Sequence, residues 1–410
     1  MKPVEVRDKV YWVGVVDWAI RDFHGYETPR GTSYNNYLIL DDEPTLVDTV
    51  KYDFADLTIK NIGAILDPGA IKNVIVNHIE NDHATSLDRV MQLAPHAVIY
   101  MTERAQKGLA RFFDLSAWRI KTVKTGDKLK IGKRTVLFLE TPMLHWPDSM
   151  VSYVQEDKLL FSQDAFGQHI ASSARFDDDY IACESIAELD DAVLDYYANI
   201  LMPFGPLIEK KIGEVQTLGL EIEVIAPDHG VIWRRDPGRI LQMYLDMARG
   251  KAARSVAVVY DTMWRSTEQM TQFIARGVQD AGVECRVIKL RASPISVATK
   301  ELWRARGTLI GCPTLNNIPF PTIAQFLTYI RGLRPKNRIA GAFGSFGWGG
   351  GAVKEVYAAI KQMGLEVYEP GVEVVYRPGP EDEQRCYDFG YGFAEKVKEY
   401  DLKFQDIGGG

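Results

Sequence analysis

The sequence predicts a protein of two domains, an α+β domain followed by an α/β domain with a doubly wound parallel sheet. Its 410 residues are 46% hydrophobic, which is enough apolar material for more than one core. All seven histidines precede residue 230, so the two halves are expected to do different chemistry. A polar stretch containing a glycine, residues 249–254, places the boundary near residue 250 and divides the chain into residues 1–250 and 251–405.

The second half alternates regularly between strands and helices. The predicted strands are residues 255–260, 284–290, 308–312, 338–343 and 366–376. The predicted helices are residues 267–281, 295–305, 321–332, 352–363 and 380–399. This alternation predicts a five-stranded parallel sheet with helices on both faces, and ligands of such sheets bind at the carboxyl ends of the strands.

The first half contains more strands and fewer helices. The predicted strands are residues 10–16, 36–40, 45–48, 73–76, 97–101, 120–123, 135–140, 150–154, 158–161 and 221–225. The predicted helices are residues 53–65, 84–93, 103–112 and 189–214, the last broken at Pro203. This pattern predicts two mixed sheets flanked by helices.

Composition excludes several classes of protein. The 48 basic and 55 acidic residues give a net charge of −7 without a basic block, which argues against a nucleic-acid partner. No secretion signal and no apolar run long enough for a membrane span is found, so no membrane partner is expected. The four cysteines are scattered singly, which argues against disulfides, a zinc ribbon or a rubredoxin-like iron centre. These observations predict a cytoplasmic protein.

A dense group of metal-binding side chains follows the predicted strand 73–76. His78, Glu80, Asp82 and His83 lie within six residues, on a loop that leads into the predicted helix 84–93. Four such side chains converge only if the backbone folds around a metal or a buried polar network.

Three more candidate ligands follow the ends of other predicted strands. They are His145, Asp164 and His229. Because strand ends gather at one edge of a sheet, these residues are expected to meet the first four. Seven ligands are too many for one zinc ion, whereas two metals that share a bridging carboxylate would use all seven. The mixed nitrogen and oxygen set suits iron, manganese or zinc.

The loop after the first strand of the second half is a candidate phosphate cradle. It contains Thr262, Met263, Trp264, Arg265, Ser266 and Thr267. Three hydroxyl groups at the start of a helix can surround a phosphate, which the helix dipole also favours. The loop lacks the GxGxxG pattern and the Walker lysine, so a phosphate monoester such as FMN is expected rather than a dinucleotide or a triphosphate.

Two further loops are expected to hold the flavin ring. Pro313, Thr314, Leu315, Asn316 and Asn317 follow the third strand and offer amide groups to the polar edge of the ring. The loop after the fourth strand is rich in glycine and aromatic residues, and it comprises Ser345, Phe346, Gly347, Trp348, Gly349 and Gly350. Phe346 and Trp348 can cover the ring, while the glycines allow the backbone to approach it closely.

Together these motifs resemble the flavodiiron proteins, or A-type flavoproteins, over essentially the whole chain. The ligand series is similar to the metallo-β-lactamase motif with its usual second histidine replaced by Glu80. The resemblance implies an N-terminal αββα metallo-β-lactamase-like sandwich and a C-terminal flavodoxin-like domain. It implies that His78, Glu80 and His145 bind the iron nearer the flavin.

The same resemblance assigns the remaining residues of the site. Asp82, His83 and His229 would bind the second iron, and Asp164 would bridge the pair. It also places His24 beside the metals as a candidate catalytic residue, and His169 is a candidate for orienting a ligand.

The function expected from this resemblance is reduction of dioxygen to water, or of nitric oxide to nitrous oxide. Reduced FMN stores two electrons and a diferrous pair stores two more. The expected electron donor is rubredoxin or a reduced deazaflavin coenzyme, and a head-to-tail dimer, or a dimer of such dimers, would bring the flavin of one chain to the irons of another.

Two alternatives come from other functional classes. One is a dinuclear zinc hydrolase with an accessory flavin domain, against which Glu80 counts. The other is a flavin electron carrier or redox sensor without enzymatic activity, which would leave the seven ligands without a role.

Overall fold

The computed structural model describes residues 2–23 and 25–405, and these fall into two compact units. The first unit comprises Met1–Tyr196 and Pro206–Leu245, and the second comprises Tyr197–Gly205 and Asp246–Gly410. The segment Tyr197–Gly205 thus interrupts the first unit in sequence and belongs to the second. No helix in the described ranges is both long and apolar enough to cross a bilayer.

The first unit is built from short strands and helices. Its strands are β1 (Val4–Arg7), β2 (Val10–Trp12), β3 (Val15–Asp17), β4 (Asp22–Phe23), β5 (Tyr26–Glu27), β6 (Thr32–Tyr34), β7 (Tyr37–Ile39), β8 (Thr45–Val47), β9 (Asn73–Ile75), β10 (Val98–Met101), β11 (Arg119–Thr122), β12 (Lys128–Lys130), β13 (Thr135–Glu140), β14 (Met150–Val154), β15 (Leu159–Gln163) and β16 (Val224–Pro227). Its helices are α1 (Ala55–Gly63), α2 (Asn81–Ala84), α3 (Leu87–Leu93), α4 (Glu103–Leu109), α5 (Asp177–Cys183), α6 (Ile186–Tyr196), α7 (Gly205–Thr217) and α8 (Pro237–Ala248).

Two mixed sheets enclose the core of the first unit. One has the order β1-β2-β7-β8-β9-β10-β11 and the other has the order β12-β13-β14-β15-β16. Side chains of both sheets, among them Trp12, Tyr37, Phe138 and Phe161, pack into one buried cluster. The opposite face of the first sheet packs against α1, α3 and α4. The predicted pair of mixed sheets with flanking helices is confirmed.

The second unit is a parallel sheet wound on both faces. Its strands are β17 (Ala253–Tyr260), β18 (Glu284–Lys289), β19 (Ala305–Gly311), β20 (Thr314–Leu315), β21 (Ile318–Pro319), β22 (Ile339–Phe346) and β23 (Glu366–Val375). Its helices are α9 (Ser266–Asp280), α10 (Ile295–Arg304), α11 (Pro321–Leu333), α12 (Ala352–Gln362) and α13 (Pro380–Gln405).

The order of the main strands in the second unit is β18-β17-β19-β22-β23, and every neighbouring pair is parallel. Helices α10, α11 and α12 cover one face, while α9 and α13 cover the other. Within the described residues the predicted five-stranded, doubly wound sheet is confirmed.

Several predicted elements of the first half need correction. The single strand predicted at residues 10–16 is two strands that belong to different sheets, because β2 pairs with β7 and β3 pairs with β6. The strand predicted at residues 221–225 begins only at Val224. The helix predicted at residues 189–214 breaks at Pro203 as expected, within a 3-10 turn at Met202–Phe204, but the irregular stretch begins earlier, with a π-helical turn at Tyr197–Leu201. The helix predicted at residues 84–93 begins at Leu87 and follows a separate short helix, α2.

Two glycines allow α9 and α13 to cross at close range, and this contact yields a stability prediction. A Cβ on Gly277 would lie 2.1 Å from the carbonyl oxygen of Tyr387, and one on Gly390 would lie 2.1 Å from that of Ile274. Gly277→Ala is therefore expected to lower the free energy of unfolding by about 1–3 kcal/mol, because the helices must separate. Denaturant unfolding of the whole chain measures the loss.

Gly332→Ala is the matched control for this prediction. Gly332 lies in α11, and apart from its chain neighbours and the backbone of its own helix, no atom of the described residues lies within 4 Å of a Cβ added there. The added methyl group should raise helix propensity and leave stability unchanged or higher by up to about 1 kcal/mol. If Gly277→Ala proved as harmless as Gly332→Ala, the close crossing would be disproved.

Candidate metal centre and cofactor site

The first four predicted ligands lie where β9 leaves the sheet. His78 and Glu80 follow the end of the strand, and α2 then carries Asp82 and His83 in its single turn. Glu80 adopts extended dihedral angles of φ −58° and ψ 151°, which turns the chain into that helix. The short helix brings Asp82 and His83 back towards the side on which His78 lies, so a loop was the wrong prediction for this part of the segment.

The other three predicted ligands follow β13, β15 and β16, and the structure brings all seven together in two groups. His145 follows β13, Asp164 directly follows β15, and His229 follows β16. The first group comprises His78, Glu80, His145 and Asp164, and the second comprises Asp82, His83 and His229. Within each group the potential ligand atoms lie within 4.8 Å of one another.

Asp164 joins the two groups through its two carboxylate oxygens. Its Oδ2 lies 3.3 Å from Nε2 of His78 and 3.1 Å from Nε2 of His145. Its Oδ1 lies 3.0 Å from Nε2 of His83 and 3.3 Å from Nε2 of His229. The remaining carboxylates complete each group, since Glu80 Oε2 lies 3.0 Å from Nε2 of His145 and Asp82 Oδ2 lies 3.1 Å from Nε2 of His229. This is the arrangement of a carboxylate that bridges two cations.

The orientation of these atoms fits metals better than hydrogen bonds. Although they lie close together, Asp82 Oδ1 and Oδ2, His83 Nε2 and Asp164 Oδ1 are buried and have no hydrogen-bond partner in the described part of the chain. Buried polar atoms are normally satisfied, so these atoms point at a shared ligand. Ligand atoms bound at ~2.1 Å to one metal would be separated by about 3.0–3.4 Å, which matches the observed spacing.

The electrostatics of the cluster also favour bound cations. Burial by itself would lower the pKa of His83, but the charges of Asp82 and Asp164 raise it to about 9. Burial likewise opposes protonation of His78 and His229, yet the carboxylates beside them raise the pKa of each well above its ordinary value. For Asp164 the direction is opposite: burial raises its pKa, but the imidazoles of His83, His145 and His229 hold the pKa well below the usual range. The carboxylates therefore give the site a negative potential that cations can neutralise.

Sequence reasoning missed the acidic residues that support the ligands from behind. Asp148 accepts hydrogen bonds from Nδ1 of His78 at 3.0 Å and from the backbone N–H of Ile79 at 2.9 Å. Asp228 is fully buried, with Oδ2 at 3.3 Å from Nδ1 of His83. Burial and the charge of Asp48 raise the pKa of Asp228 well above its usual range. The available signal was closeness in sequence to a ligand, since Asp148 lies three residues after His145 and Asp228 directly precedes His229.

Loss of the Asp148 carboxylate should weaken metal binding. In Asp148→Asn a neutral amide replaces the charged carboxylate that accepts hydrogen bonds from Nδ1 of His78 and from the backbone N–H of Ile79. The His78 ring is then held less firmly. We expect metal affinity to fall by about 10–100-fold, as is usual when a carboxylate partner of a ligating histidine is lost. Anaerobic iron titration against a chelator measures it.

Asp41→Asn serves as the control for this experiment. The Asp41 carboxylate also accepts from backbone N–H groups, those of Lys133 and Arg134, but it supports a turn rather than a ligand. Equal iron affinity in Asp148→Asn and Asp41→Asn would contradict the supporting role of Asp148.

The remaining histidines differ in position. His169 lies against the site, with its ring centroid 4.7 Å from that of His229 and its Nδ1 2.8 Å from the hydroxyl of Thr32. The candidate catalytic residue His24 lies outside the described residues. Tyr196, which sequence reasoning did not single out, is buried with its ring 4.9 Å from that of His169.

The predicted phosphate cradle lies at the carboxyl end of β17, where α9 begins at Ser266. The Thr262 hydroxyl is buried and has no hydrogen-bond partner among the described residues. The Thr267 hydroxyl lies 2.9 Å from that of Ser345, so it joins the first loop to the third. An unsatisfied buried hydroxyl beside a helix N-terminus fits a phosphate oxygen.

Three other side chains of the first loop are exposed or paired with a neighbouring residue. Met263 is partly exposed and Trp264 is 91% exposed. Arg265, in the left-handed region at φ 70°, pairs with Glu268 at 3.1 Å. The buried hydroxyls of Thr262 and Thr267 are available to the cradle, and contacts of these three side chains with FMN stay a prediction.

The second and third loops interlock at the carboxyl ends of β19 and β22. Asn316 and Asn317 both have positive φ, and a Cβ on Gly351 would lie 2.3 Å from the carbonyl oxygen of Asn317. The backbone N–H of Ala352 lies 3.4 Å from the Thr314 hydroxyl that accepts its hydrogen bond. The side chain of Trp348 is 94% exposed, and an aromatic surface of this size is available to cover a flavin ring.

The other predicted members of these two loops lie beside them in the structure. Leu315 lies in β20 and Phe346 ends β22, whereas Pro313, Gly347, Gly349 and Gly350 lie outside strands and helices. The structure therefore brings the three predicted loops to one edge of the sheet, as the strand-end rule requires.

A buried carboxylate that sequence reasoning missed anchors the start of the cradle. Asp261 is fully buried and accepts hydrogen bonds from Nε of Arg291 at 2.9 and 3.1 Å. It also accepts from the Thr322 hydroxyl at 2.6 Å and from the backbone N–H of Thr262 at 2.7 Å. One side chain thus connects the first loop to the segment that follows β18 and to the first turn of α11.

Two known protein families match the two halves of the chain. The family described as "ODP family beta lactamase" matches residues 32–230, and the family described as "Flavodoxin" matches residues 258–390. These matches confirm the predicted metallo-β-lactamase-like and flavodoxin-like folds.

Similar proteins match along nearly the full length. The nitric oxide reductase of Moorella thermoacetica is 45% identical, and the alignment covers 97% of this chain and 100% of that protein. The rubredoxin oxygen:oxidoreductase of Desulfovibrio gigas has a TM-score of 0.94 and 37% identity, with 97% of this chain and 99% of that chain covered. The flavodiiron protein of Giardia intestinalis has a TM-score of 0.95 and 35% identity, with 98% of each chain covered. The chain therefore belongs to the flavodiiron proteins, oxidoreductases that join a β-lactamase-like diiron domain to a flavodoxin domain for FMN.

Proposed function

We propose that this chain reduces nitric oxide or dioxygen with electrons that pass from FMN to two irons held by the two ligand groups. The observation that carries the proposal is the position of Asp164, which directs one carboxylate oxygen to each group. Four imidazoles and three carboxylates without a thiolate suit iron. The name of the Moorella relative supports nitric oxide as a substrate, and that of the Desulfovibrio structure supports dioxygen.

When bound, FMN and the iron pair would supply two electrons each. Four electrons and four protons convert one dioxygen into two waters. Two electrons and two protons convert two nitric oxides into nitrous oxide and water. The chain's own residues hold the ligands rigidly and exclude water from most of the cluster. The side chains of His78 and His83 are fully buried, whereas those of His145 and Glu80 are 11% and 14% exposed. We therefore infer that substrate and electrons enter on the side of His145 and Glu80.

Tyr196 is suited to donate a hydrogen bond inside this site. Burial, together with the charge of Asp164, raises the pKa of its hydroxyl well above the ordinary value, so the phenol keeps its proton. Its ring lies 6.2 Å from that of His229. A fixed neutral donor at this position can orient a bound gas molecule or its reduced product.

We further propose a head-to-tail dimer and an external electron donor such as rubredoxin or a reduced deazaflavin coenzyme. Trp264 and Trp348, 91% and 94% exposed at the flavin edge, support a surface that a second chain covers. The four cysteines, all free thiols, support a cytoplasmic location. A monomer isolated by gel filtration that still turns over at the full rate would exclude the shared site.

Stopped-flow mixing tests the proposed reaction. The protein is reduced anaerobically, its iron and FMN are measured, and it is then mixed with each gas separately. We expect FMN and iron to reoxidise together with either gas, forming water from dioxygen or nitrous oxide from nitric oxide. A fully loaded, reduced protein that consumes neither gas would refute the proposal. Two zinc ions in place of iron, with hydrolysis of a thioester or phosphodiester, would favour the hydrolase alternative.

A further inference from the structure

One buried residue of another segment, Asn35, holds three carbonyl groups of the loop that carries His229. Asn35 lies between β6 and β7, and none of its surface is exposed. Its Nδ2 donates to the carbonyl oxygen of Pro227 at 2.8 Å and to that of Gly230 at 3.1 Å. Its backbone N–H donates to the carbonyl oxygen of Asp228 at 2.7 Å. Three of the four carbonyl groups in residues 227–230 therefore accept hydrogen bonds from Asn35.

The amide of Asn35 is fixed in this orientation by Trp12. The indole Nε1–H of Trp12, itself fully buried, donates to Oδ1 of Asn35 at 2.8 Å. A flipped amide would direct its NH₂ group at the indole N–H and its oxygen at two carbonyl oxygens. Each flipped contact is repulsive, so only one orientation satisfies all the groups.

The same segment of chain also holds the imidazole of His229. Its Nδ1 donates to the carbonyl oxygen of Ser33 at 2.7 Å, and the Ser33 hydroxyl accepts from the backbone N–H of Gly230 at 2.7 Å. With Nδ1 occupied, Nε2 faces Asp82 and Asp164 at 3.1 and 3.3 Å. The ring and its loop are thus attached to one rigid segment.

The loop has little freedom to settle elsewhere. Gly230 has φ of 79°, and a Cβ there would lie 2.2 Å from Oε1 of Gln168. The remaining carbonyl, that of His229, accepts from the backbone N–H of Gln168. Tyr37 donates its hydroxyl hydrogen to the carbonyl oxygen of Pro227 at 2.7 Å, so the start of the loop keeps a partner when Asn35 is changed.

We propose that Asn35 is a positioning residue for the metal centre, which keeps Nε2 of His229 directed at the second ligand group. The inference rests on the proposed metal assignment and deepens it. An aspartate at this position would place carboxylate oxygens against two carbonyl oxygens in a buried site. The cost falls on the loop that carries His229, whereas His78, Glu80 and His145 belong to other loops.

The test is iron binding by the whole chain, measured anaerobically by competition with a chelator. Wild type is expected to bind two irons tightly. Asn35→Asp should retain one tight iron and bind the other about 10–100-fold more weakly, the range seen when partners of ligating residues are lost. The EPR signal of the coupled mixed-valent pair should be lost at limiting iron, while FMN content stays at the wild-type level.

Asn61→Asp provides the matched control. Asn61 is also a buried amide that donates to two carbonyl oxygens, those of Val13 and Gly14, but it holds no ligand loop. We expect this variant to bind two irons as tightly as wild type does, even if its free energy of unfolding falls. Two irons at wild-type affinity in Asn35→Asp, or equal weakening of both irons, would overturn the proposal.

Trp12→Phe keeps the test decisive if Asn35→Asp does not fold. It removes the indole N–H that orients the amide, together with one ring of a buried side chain, and it should weaken the same single iron several-fold. Unchanged iron binding in Trp12→Phe would then overturn the proposal. The decisive readout is metal binding, so the role of Asn35 can be disproved while the proposed gas reduction stands. A loaded wild type that reduces neither gas would refute only the proposed gas reduction.

Discussion

Asp164→Ala is expected to abolish consumption of nitric oxide and dioxygen while the flavin spectrum stays intact. The carboxylate supplies one oxygen to each ligand group, so its loss removes a ligand from both metals and leaves four buried imidazoles without their shared anion. Loss of a partner that only supports a ligand costs about 10–100-fold, so loss of the bridge should cost more than ~100-fold in turnover. Anaerobic rate measurements with each gas, together with iron analysis, measure the effect.

The control for Asp164→Ala is Asp41→Ala, which removes another nearly buried carboxylate that holds a turn through backbone N–H groups. It should lose stability but keep both irons and the wild-type rate per folded chain. An Asp164→Ala variant with two irons and full activity would contradict the bridging role.

Thr262→Val combined with Thr267→Val is expected to release FMN. Both hydroxyls are buried at the cradle, and valine keeps the shape of threonine while removing the donor. A hydrogen bond to a charged group contributes about 1.5–3 kcal/mol, so two losses should weaken FMN binding by about 10²- to 10⁴-fold. The affinity for FMN is measured by titrating the apoprotein with FMN and monitoring the quenching of flavin fluorescence.

Thr271→Val is the control within the same helix. Its buried hydroxyl donates to the carbonyl oxygen of Thr267 one turn away, so it is not part of the cradle. This variant should bind FMN as wild type does. Wild-type affinity in the double variant would mean that the cradle is wrongly placed.

Sequence reasoning was most successful where burial leaves a continuous apolar signal. Every strand of the parallel sheet was predicted to within a few residues, because strands covered on both faces carry apolar runs, such as residues 256–260 in β17 and residues 339–344 in β22. In the first unit, two-residue strands such as β4 and β5 carry no periodicity. The turn of α2 was missed because four residues are too few for a helical pattern.

The ligands themselves could be predicted because residues that follow neighbouring strands gather at one edge of a sheet. Each of the seven lies just after a strand or in the short helix beside one. Their supports could not be predicted in the same way. Asn35 contacts a loop 192–195 positions away, and Asp148 contacts a histidine 70 positions away. Pairings over such distances depend on the register of two sheets, which local patterns do not specify.

Anomalous diffraction at the iron edge, from crystals of the iron-loaded protein, tests the central claim most directly. The account predicts two iron peaks in each chain, one bonded to His78, Glu80 and His145 and the other to Asp82, His83 and His229, with one oxygen of Asp164 on each. A single peak, or an Asp164 side chain turned away from either iron, would contradict it.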